Sequence, residues 1–157
     1  MTAAGVVDWG DTTLNEARDW LREQLDDGVK CPCCTQFAKV YRRKINSGMA
    51  RALIAQYKAV GQAYARTTTL CPWTHEAAQL AWWGLIVDEG GRREDGGRSG
   101  LWRITDDGRR FVLHQLRVPK YARIYDGRLL GFGQMETTSI SECLGARFDY
   151  RELMEGV

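Results

Sequence analysis

Cysteine and histidine are the residues of this chain whose spacing most readily suits chemistry. The stretch 31–34, Cys-Pro-Cys-Cys, contains the Cys-x-x-Cys spacing of a zinc knuckle, and a looser second pair lies about forty residues later. Together these pairs would supply four zinc ligands: Cys31, Cys34, Cys71 and His75. Cys33 leaves the choice of ligands open, and a reduced Cys also behaves as a small apolar residue. We therefore expect no cofactor, with zinc at these four residues as the alternative.

Residues for acid–base or nucleophilic catalysis do not form a recognisable set. The stretch His-Glu-Ala-Ala-Gln begins like a metalloprotease helix, but Gln79 stands where the second metal-binding His is needed. Glu94 and Asp95 lie side by side in a glycine-rich loop that would not hold them as an acid/base pair. We expect that the protein is not an enzyme.

Basic residues are concentrated in one part of the chain, although the net charge is only +2. Residues 28–75 contain eight Lys or Arg and no acid, whereas residues 1–27 contain seven acids and two bases. Such a segment predicts a positive face, and positive faces attract polyanions such as nucleic acid. The alternative is that the acidic first segment packs beside the basic one and compensates its charge.

A second basic feature is the loop 90–100, which holds five Gly and three Arg between two β-prone runs. Its glycines would allow a close approach to a phosphate backbone, and its arginines would supply the charge. The predicted phosphate contacts from the two basic features are Arg42, Arg43, Lys44, Arg51, Arg92, Arg93 and Arg98.

Local patterns predict the elements that must position these residues. A Thr13–Glu16 capping box starts a helix over about 13–27, and Asn46 or Ser47 caps a core helix over 47–60. The stretch 38–45 reads either as a strand or as the start of that core helix. A short helical turn before Pro72 and a helix over about 74–83, capped by Thr74, complete this half.

The second half predicts mostly short elements. Strands are expected at 85–89 and 100–105, followed by a helix that Thr105 caps and that Pro119 closes. Asp126-Gly127 suits the two-residue turn of a hairpin, and Ser139 to Glu142 repeats the capping-box pattern before a short helix. A last helical turn is expected in "FDYRELM".

The order of these elements over 47–116 resembles bacterial winged helix-turn-helix regulators, on the stretches "WWGLI" and "WRITDDGRRFV". In that family the helix at 74–83 would be the recognition helix and the loop 90–100 the wing. Over 12–154 the chain also resembles small proteins of bacteriophages that infect actinobacteria, on "CPCCTQFAKVYRRKINSGMARALI", "LAWWGLI", "VPKYARIYDG" and "FDYREL". The resemblance implies a phage-encoded, winged-helix protein of the host cytoplasm, and it implies no substrate.

We thus expect a single α+β domain over 1–157, with a winged helix-turn-helix core at 47–116. The N-terminal helix and cysteine segment, 12–46, precede this core, and a β-hairpin plus short helix, 117–157, follow it. The expected partner is double-stranded DNA, bound through segment 39–58 and wing 90–100. The alternative is a winged-helix module that binds a host or phage protein without DNA. We expect no membrane contact, and a homodimer would suit a DNA reader.

Overall fold

A computed structural model describes residues 8–91, 94, 96, 99–133 and 135–156, which adopt a mixed α+β fold with several small antiparallel sheets. The α+β prediction is therefore confirmed. The chain divides into two compact units, one of residues 1–42 and 123–130 and the other of residues 43–122 and 131–157. The expectation of a single domain stays a prediction.

The first unit combines one helix with short strands. Its elements are α1 (Leu14–Gln24), β1 (Val29–Lys30), β2 (Phe37–Ala38), β3 (Tyr41–Arg43), β8 (Ala122–Tyr125) and β9 (Arg128–Gly131), with the last residue of β3, the first of β8 and the last of β9 counted in the second unit. β1 pairs with β2, and β8 lies between β3 and β9 in a three-stranded sheet. Buried Leu25, Ala38 and Val40 form its core, against which Leu21 and Tyr125 pack.

Local chemistry sets the ends of these elements as predicted. Thr13 and Glu16 form both hydrogen bonds of the capping box, so α1 begins where the sequence indicates, although it ends three residues before 27. Asp126 and Gly127 both have positive φ, 50° and 70°, as a type I′ turn requires. The stretch 38–45 contains strand β3 and no helical turn, so the strand interpretation is the one that the structure confirms.

The second unit is built around helix α2 (Ser47–Val60), whose bounds are those predicted and whose N-cap is Asn46. Met49, Leu53 and Ile54 are each about 1% exposed, so one whole face of α2 lies in the core. Several helices pack against it: α3 (Thr67–Leu70), the 3₁₀ helix Ala77–Trp83, α4 (Asp106–Val112), α5 (Ile140–Leu144) and α6 (Tyr150–Glu155). Helix α2 therefore positions most of this unit.

A three-stranded antiparallel sheet completes the region that follows α2. Its strands are β4 (Ala65–Arg66), β5 (Ile86–Asp88) and β6 (Leu101–Ile104), with β6 in the centre. Thr105 caps α4 as predicted, but α4 ends at Val112, well before Pro119. Farther along, β7 (Val118–Pro119) pairs with β10 (Thr137–Thr138), and the predicted Ser139–Glu142 capping box starts α5.

The helix predicted over 74–83 is the main correction. The structure has a 3₁₀ helix that starts only at Ala77, and Thr74 accepts a hydrogen bond from the Glu76 amide instead of capping a helix. The buried residues Ala77, Leu80 and Trp83 recur every third position. A 3₁₀ helix has three residues per turn, so this spacing aligns the three side chains on one face. In an α-helix, with about 3.6 residues per turn, the same three side chains would be spread over a wider arc around the helix axis.

Candidate nucleic-acid interface

The predicted phosphate contacts fall into three groups. Arg42 and Arg43 are exposed on strand β3, and Lys44 is exposed directly after it. Arg51 lies on α2. The wing arginines, Arg92, Arg93 and Arg98, lie outside the described residues.

Lys44 lines a cleft of about 410 Å³ at the N-terminal end of α2. Two further cations, Lys120 after β7 and Arg147 after α5, line the same cleft. Sequence reasoning missed both. Arg147 is an isolated base in a stretch of mixed charge, whereas Lys120 lies in a second acid-free stretch, residues 108–125, whose five bases were a signal that could have found it. Tertiary packing, including that of α5 against α2, brings the three cations to one cleft.

In the part of the chain that the structure describes, no carboxylate pairs with these three cations. Among the described residues, none of Lys44, Lys120 and Arg147 forms a salt bridge. Glu142 also lines the cleft, but its carboxylate is bound by Arg117 at 2.9 Å. Hydrogen bonds from Arg117 and from the Ser139 amide hold the pKa of Glu142 below its usual range, so it stays ionised and paired. The cleft therefore keeps a net positive charge.

A second cleft, of about 430 Å³, continues from the first and shares Asn46, Ser47 and Arg147 with it. Asn46 is fixed from both sides of its amide: its Oδ1 accepts from the Met49 amide at 2.8 Å, and its Nδ2 donates to Glu76. The segment that leads into the 3₁₀ helix forms the far wall of this cleft. The positive end of α2 and the start of the 3₁₀ helix thus face the same space.

Trp73, which lines the second cleft, also stacks on Arg51. The Arg51 guanidinium lies 3.9 Å from the centre of the Trp73 ring and 5.2 Å from that of Phe148. Trp73 is fixed in turn, since its indole N–H donates to the Gly48 carbonyl at 3.2 Å. Arg51 is therefore held by ring faces, which retain its positive charge.

Trp73 also borders a third cleft, of about 370 Å³, along the flank of α2. Arg51 and Lys58 both line it, and the Lys58 ammonium donates to the Leu153 carbonyl at 2.9 Å. We call these three adjoining clefts the α2 groove. It carries five cations, of which sequence reasoning placed Lys44 and Arg51 among the contacts and Lys58 in the basic segment.

The predicted zinc ligands lie in different surroundings. Cys71 is fully buried, and its thiol contacts the Ala52 carbonyl at 3.5 Å. Burial raises the pKa of Cys71, which opposes the thiolate that zinc binds. His75 is exposed on the wall of the second cleft, while Cys31 and Cys34 belong to the first unit. Within the described residues, no three Cys, His, Asp or Glu side chains are grouped as a metal site. The four-residue zinc site stays a prediction.

Comparisons with known proteins do not assign the chain to a family. No protein-family model matches the chain, and no curated protein or solved structure matches it either. None of the described helices is long and apolar enough to cross a membrane.

Proposed function

We propose that residues 47–112 form a winged helix. The element order supports this: α2, β4, α3, the 3₁₀ helix, β5, β6 and α4. The short strand β4 follows the first helix and pairs with β6, which pairs with β5 on its other side. The winged-helix arrangement has the same order: a helix, a strand, two further helices and a two-stranded wing. One strand of the wing pairs with the strand that follows the first helix.

We propose further that this unit binds double-stranded DNA through the α2 groove. The observation that carries the proposal is the cluster of Lys44, Lys120 and Arg147 on one cleft of the groove, three cations that pair with no carboxylate among residues 8–91, 94, 96, 99–133 and 135–156. Cations of this kind neutralise backbone phosphates and release counterions, which is the main source of affinity for DNA. In this proposal Arg42, Arg43 and the wing arginines Arg92, Arg93 and Arg98 extend the contact.

The proposed binding depends on phosphates more than on bases. The helix at the recognition position is a seven-residue 3₁₀ helix without Lys or Arg, and three of its residues are buried. Arg and Lys, which read guanine, are missing from that helix, and Gln79 is its one polar side chain. We therefore infer weak sequence specificity, with orientation on the duplex set by backbone contacts.

Fluorescence anisotropy of a labelled duplex tests the proposal. In low salt the wild-type protein should bind the duplex. The variant Lys44→Ala/Lys120→Ala/Arg147→Ala should bind it about 100-fold more weakly, because each lost charged contact removes roughly 1 kcal/mol or more of binding free energy. The matched control is Arg22→Ala/Arg110→Ala/Arg151→Ala. It removes the same charge from arginines that pair with Asp19, Asp107 and Glu155.

The control variant should bind within about twofold of wild type, because its arginines are already neutralised by a neighbour. An equal loss in both variants would mean that net charge, and not the α2 groove, governs binding. Absence of binding by the wild-type protein at low salt would contradict the DNA proposal itself.

A protein-binding role is the second candidate, and strand β9 favours it. β9 is an edge strand of its sheet, and its Leu129 and Leu130 are 37% and 50% exposed. An exposed apolar edge can accept a strand from a host or phage protein. If this second function is correct, the protein would not bind the duplex. The variant Leu129→Lys/Leu130→Lys would also fail to bind a host protein that the wild-type protein binds.

A further inference from the structure

The first cleft of the α2 groove has the size and charge of a site for a compact polyanion. Its volume is about 410 Å³, within the range of about 300–1,000 Å³ that small-molecule sites span. Lys44, Lys120 and Arg147 line it, and none of them pairs with a carboxylate of the described residues. Aromatic rings lie 5.5 Å from the Lys120 ammonium and 5.7 Å from the Arg147 guanidinium, and rings leave both charges in place. Three cations on one cleft can surround an anion that carries several charges, such as a triphosphate.

The second cleft differs, because its lining includes a carboxylate. Its volume is about 430 Å³, and Asn46, Ser47 and Arg147 line both clefts. The Nδ2 of Asn46 donates to the Glu76 carboxylate, which fixes that carboxylate on the wall of the second cleft. A carboxylate repels phosphate but accepts hydrogen bonds from sugar hydroxyls. The charge pattern therefore favours phosphates in the first cleft and a neutral group that carries hydroxyls in the second.

Trp73 supplies the second cleft with a ring on which a planar group can stack. The residue is 38% exposed, and its indole N–H donates to the Gly48 carbonyl at 3.2 Å, so the ring is both accessible and fixed. Nucleobases stack on aromatic side chains with little regard to base identity, because every base has a π-face. A nucleobase next to a sugar at Glu76 therefore suits this ring.

We propose that these two clefts bind a nucleoside triphosphate, with its phosphates at Lys44, Lys120 and Arg147 and its sugar and base at Glu76 and Trp73. The bound nucleotide occupies the cations that the proposed duplex contact uses, so nucleotide and duplex exclude each other. Each ligand then lowers the affinity for the other by the same factor. This regulation rests on the proposed DNA binding, whereas the nucleotide site itself does not.

Isothermal titration calorimetry of the full-length protein tests the site with ATP, inorganic triphosphate and adenosine. EDTA is present and the ionic strength is constant, so that the protein's own cations hold the phosphates. ATP should bind at one molecule per chain. Inorganic triphosphate should bind about 10-fold more weakly, because it lacks a base to stack on Trp73. Adenosine should bind at least about 100-fold more weakly, because it lacks the charges.

Two results of this titration would overturn the nucleotide site. Equal affinity for ATP and for inorganic triphosphate would reduce it to a site for anions, without recognition of the sugar and base. Absence of ATP binding would contradict it altogether.

Variants assign the two ends of the ligand. Lys44→Ala/Lys120→Ala/Arg147→Ala should bind both ATP and inorganic triphosphate about 100-fold more weakly, and the paired-arginine control of the duplex experiment should stay within about twofold of wild type. Trp73→Leu should lower the affinity for ATP to that for inorganic triphosphate and leave the latter unchanged. Unchanged ATP affinity in Trp73→Leu would contradict stacking on this ring, and so would an equal loss for both probes with retained far-ultraviolet circular dichroism.

Displacement of a labelled duplex separates the nucleotide site from the DNA proposal. At constant ionic strength ATP should release the duplex at concentrations near its own Kd, and adenosine should not. ATP binding without any duplex binding would contradict the DNA proposal and leave the nucleotide site standing. Duplex binding without ATP binding would have the opposite meaning. Simultaneous binding of ATP and duplex would contradict a shared site.

Discussion

Arg147 and Arg151 lie four residues apart and are both exposed, yet their surroundings differ. Arg147 lines two clefts of the α2 groove and forms no salt bridge within the described chain. Arg151, on α6, pairs with Glu155 at 3.7 Å, one helical turn farther on. The two arginines therefore differ in the positive electrostatic potential that they present to a polyanion, because Glu155 neutralises Arg151 and no described carboxylate neutralises Arg147.

The same contrast separates the basic residues more widely. Five arginines each have a carboxylate within 4 Å: Arg22, Arg110, Arg117, Arg123 and Arg151. Lys44 and Lys120 have none among the residues that the structure describes. Exposed pairs of this kind contribute little to stability, about 0–1 kcal/mol each. Their main effect is on where positive potential remains, and the α2 groove is one of the places where it does.

Charge reversal at Arg147 and at Arg151 should give the largest difference in duplex affinity between a groove arginine and a paired arginine. Arg147→Glu removes a phosphate contact and adds repulsion, so we expect about 30-fold weaker duplex binding at low salt. Arg151→Glu, measured in the same anisotropy titration, should weaken binding less than about threefold, since its site is not part of the groove. Similar losses in the two variants would remove the distinction between groove and paired arginines.

Arg51 is an intermediate case, held by ring faces instead of by a carboxylate. Arg51→Ala should lower the free energy of unfolding by about 1 kcal/mol, because contact with Trp73 and Phe148 is lost, and should weaken duplex binding about fivefold. Urea denaturation and anisotropy measure the two effects.

Arg51→Lys separates charge from stacking at this position. Lys keeps the positive charge but lacks the planar group that stacks on Trp73. We expect most of the affinity to return while the loss of stability persists. Full recovery of stability in Arg51→Lys would show that stacking contributes nothing measurable.

Two carboxylates, Glu76 and Glu142, line the groove, and removing the charge of Glu142 should strengthen binding. Glu142→Gln should bind duplex about twofold more tightly, because Arg117 is then free to add to the positive potential. Gln still serves the capping box with Ser139, so the start of α5 should be unchanged. Weaker binding by Glu142→Gln would contradict a repulsive role for this carboxylate.

The Arg117–Glu142 pair also gives a pH dependence of stability. The pKa of Glu142 is lowered in the folded protein, chiefly by the hydrogen bond from Arg117. Its contribution is therefore present above the unfolded-state pKa of about 4.3 and is lost as the pH falls through the lower, folded value. In Arg117→Ala, acid denaturation followed by circular dichroism should show a shallower loss of stability in that window.

Substitution in the 3₁₀ helix should have the smallest effect. Gln79→Ala replaces one of the few polar side chains of the recognition position, and we expect less than about a twofold change in affinity for any duplex sequence. A panel of duplexes of different sequence measures this. A loss greater than tenfold that is confined to one sequence would show base reading and contradict phosphate-dominated binding.

Local signals predicted the elements whose ends depend on neighbouring residues. Asn46 caps α2, Thr105 caps α4, and Asp126-Gly127 forms the hairpin turn, because each of these depends on a side chain or φ angle close in sequence. The 3₁₀ helix was predicted as an α-helix. The i, i+3 spacing of Ala77, Leu80 and Trp83 fits one face of either helix type, so the sequence pattern did not distinguish them.

The groove could be predicted only in part. Lys44 and Arg51 belong to the acid-free segment, so composition indicates them. Lys120 and Arg147 join them only through tertiary packing, and no local pattern places two residues so distant in sequence on one cleft. Composition likewise does not show which arginines are neutralised, because the partner of Arg117 is 25 residues away.

The salt dependence of duplex binding tests phosphate binding by the α2 groove most directly. For wild type and for Lys44→Ala/Lys120→Ala/Arg147→Ala, the logarithm of the binding constant is plotted against the logarithm of the salt concentration. We predict that the slope of the variant is shallower by about 2 to 3, since each lost phosphate contact removes about 0.9. The Arg22→Ala/Arg110→Ala/Arg151→Ala control should keep the wild-type slope. Equal slopes for wild type and the groove variant would contradict phosphate binding by the α2 groove.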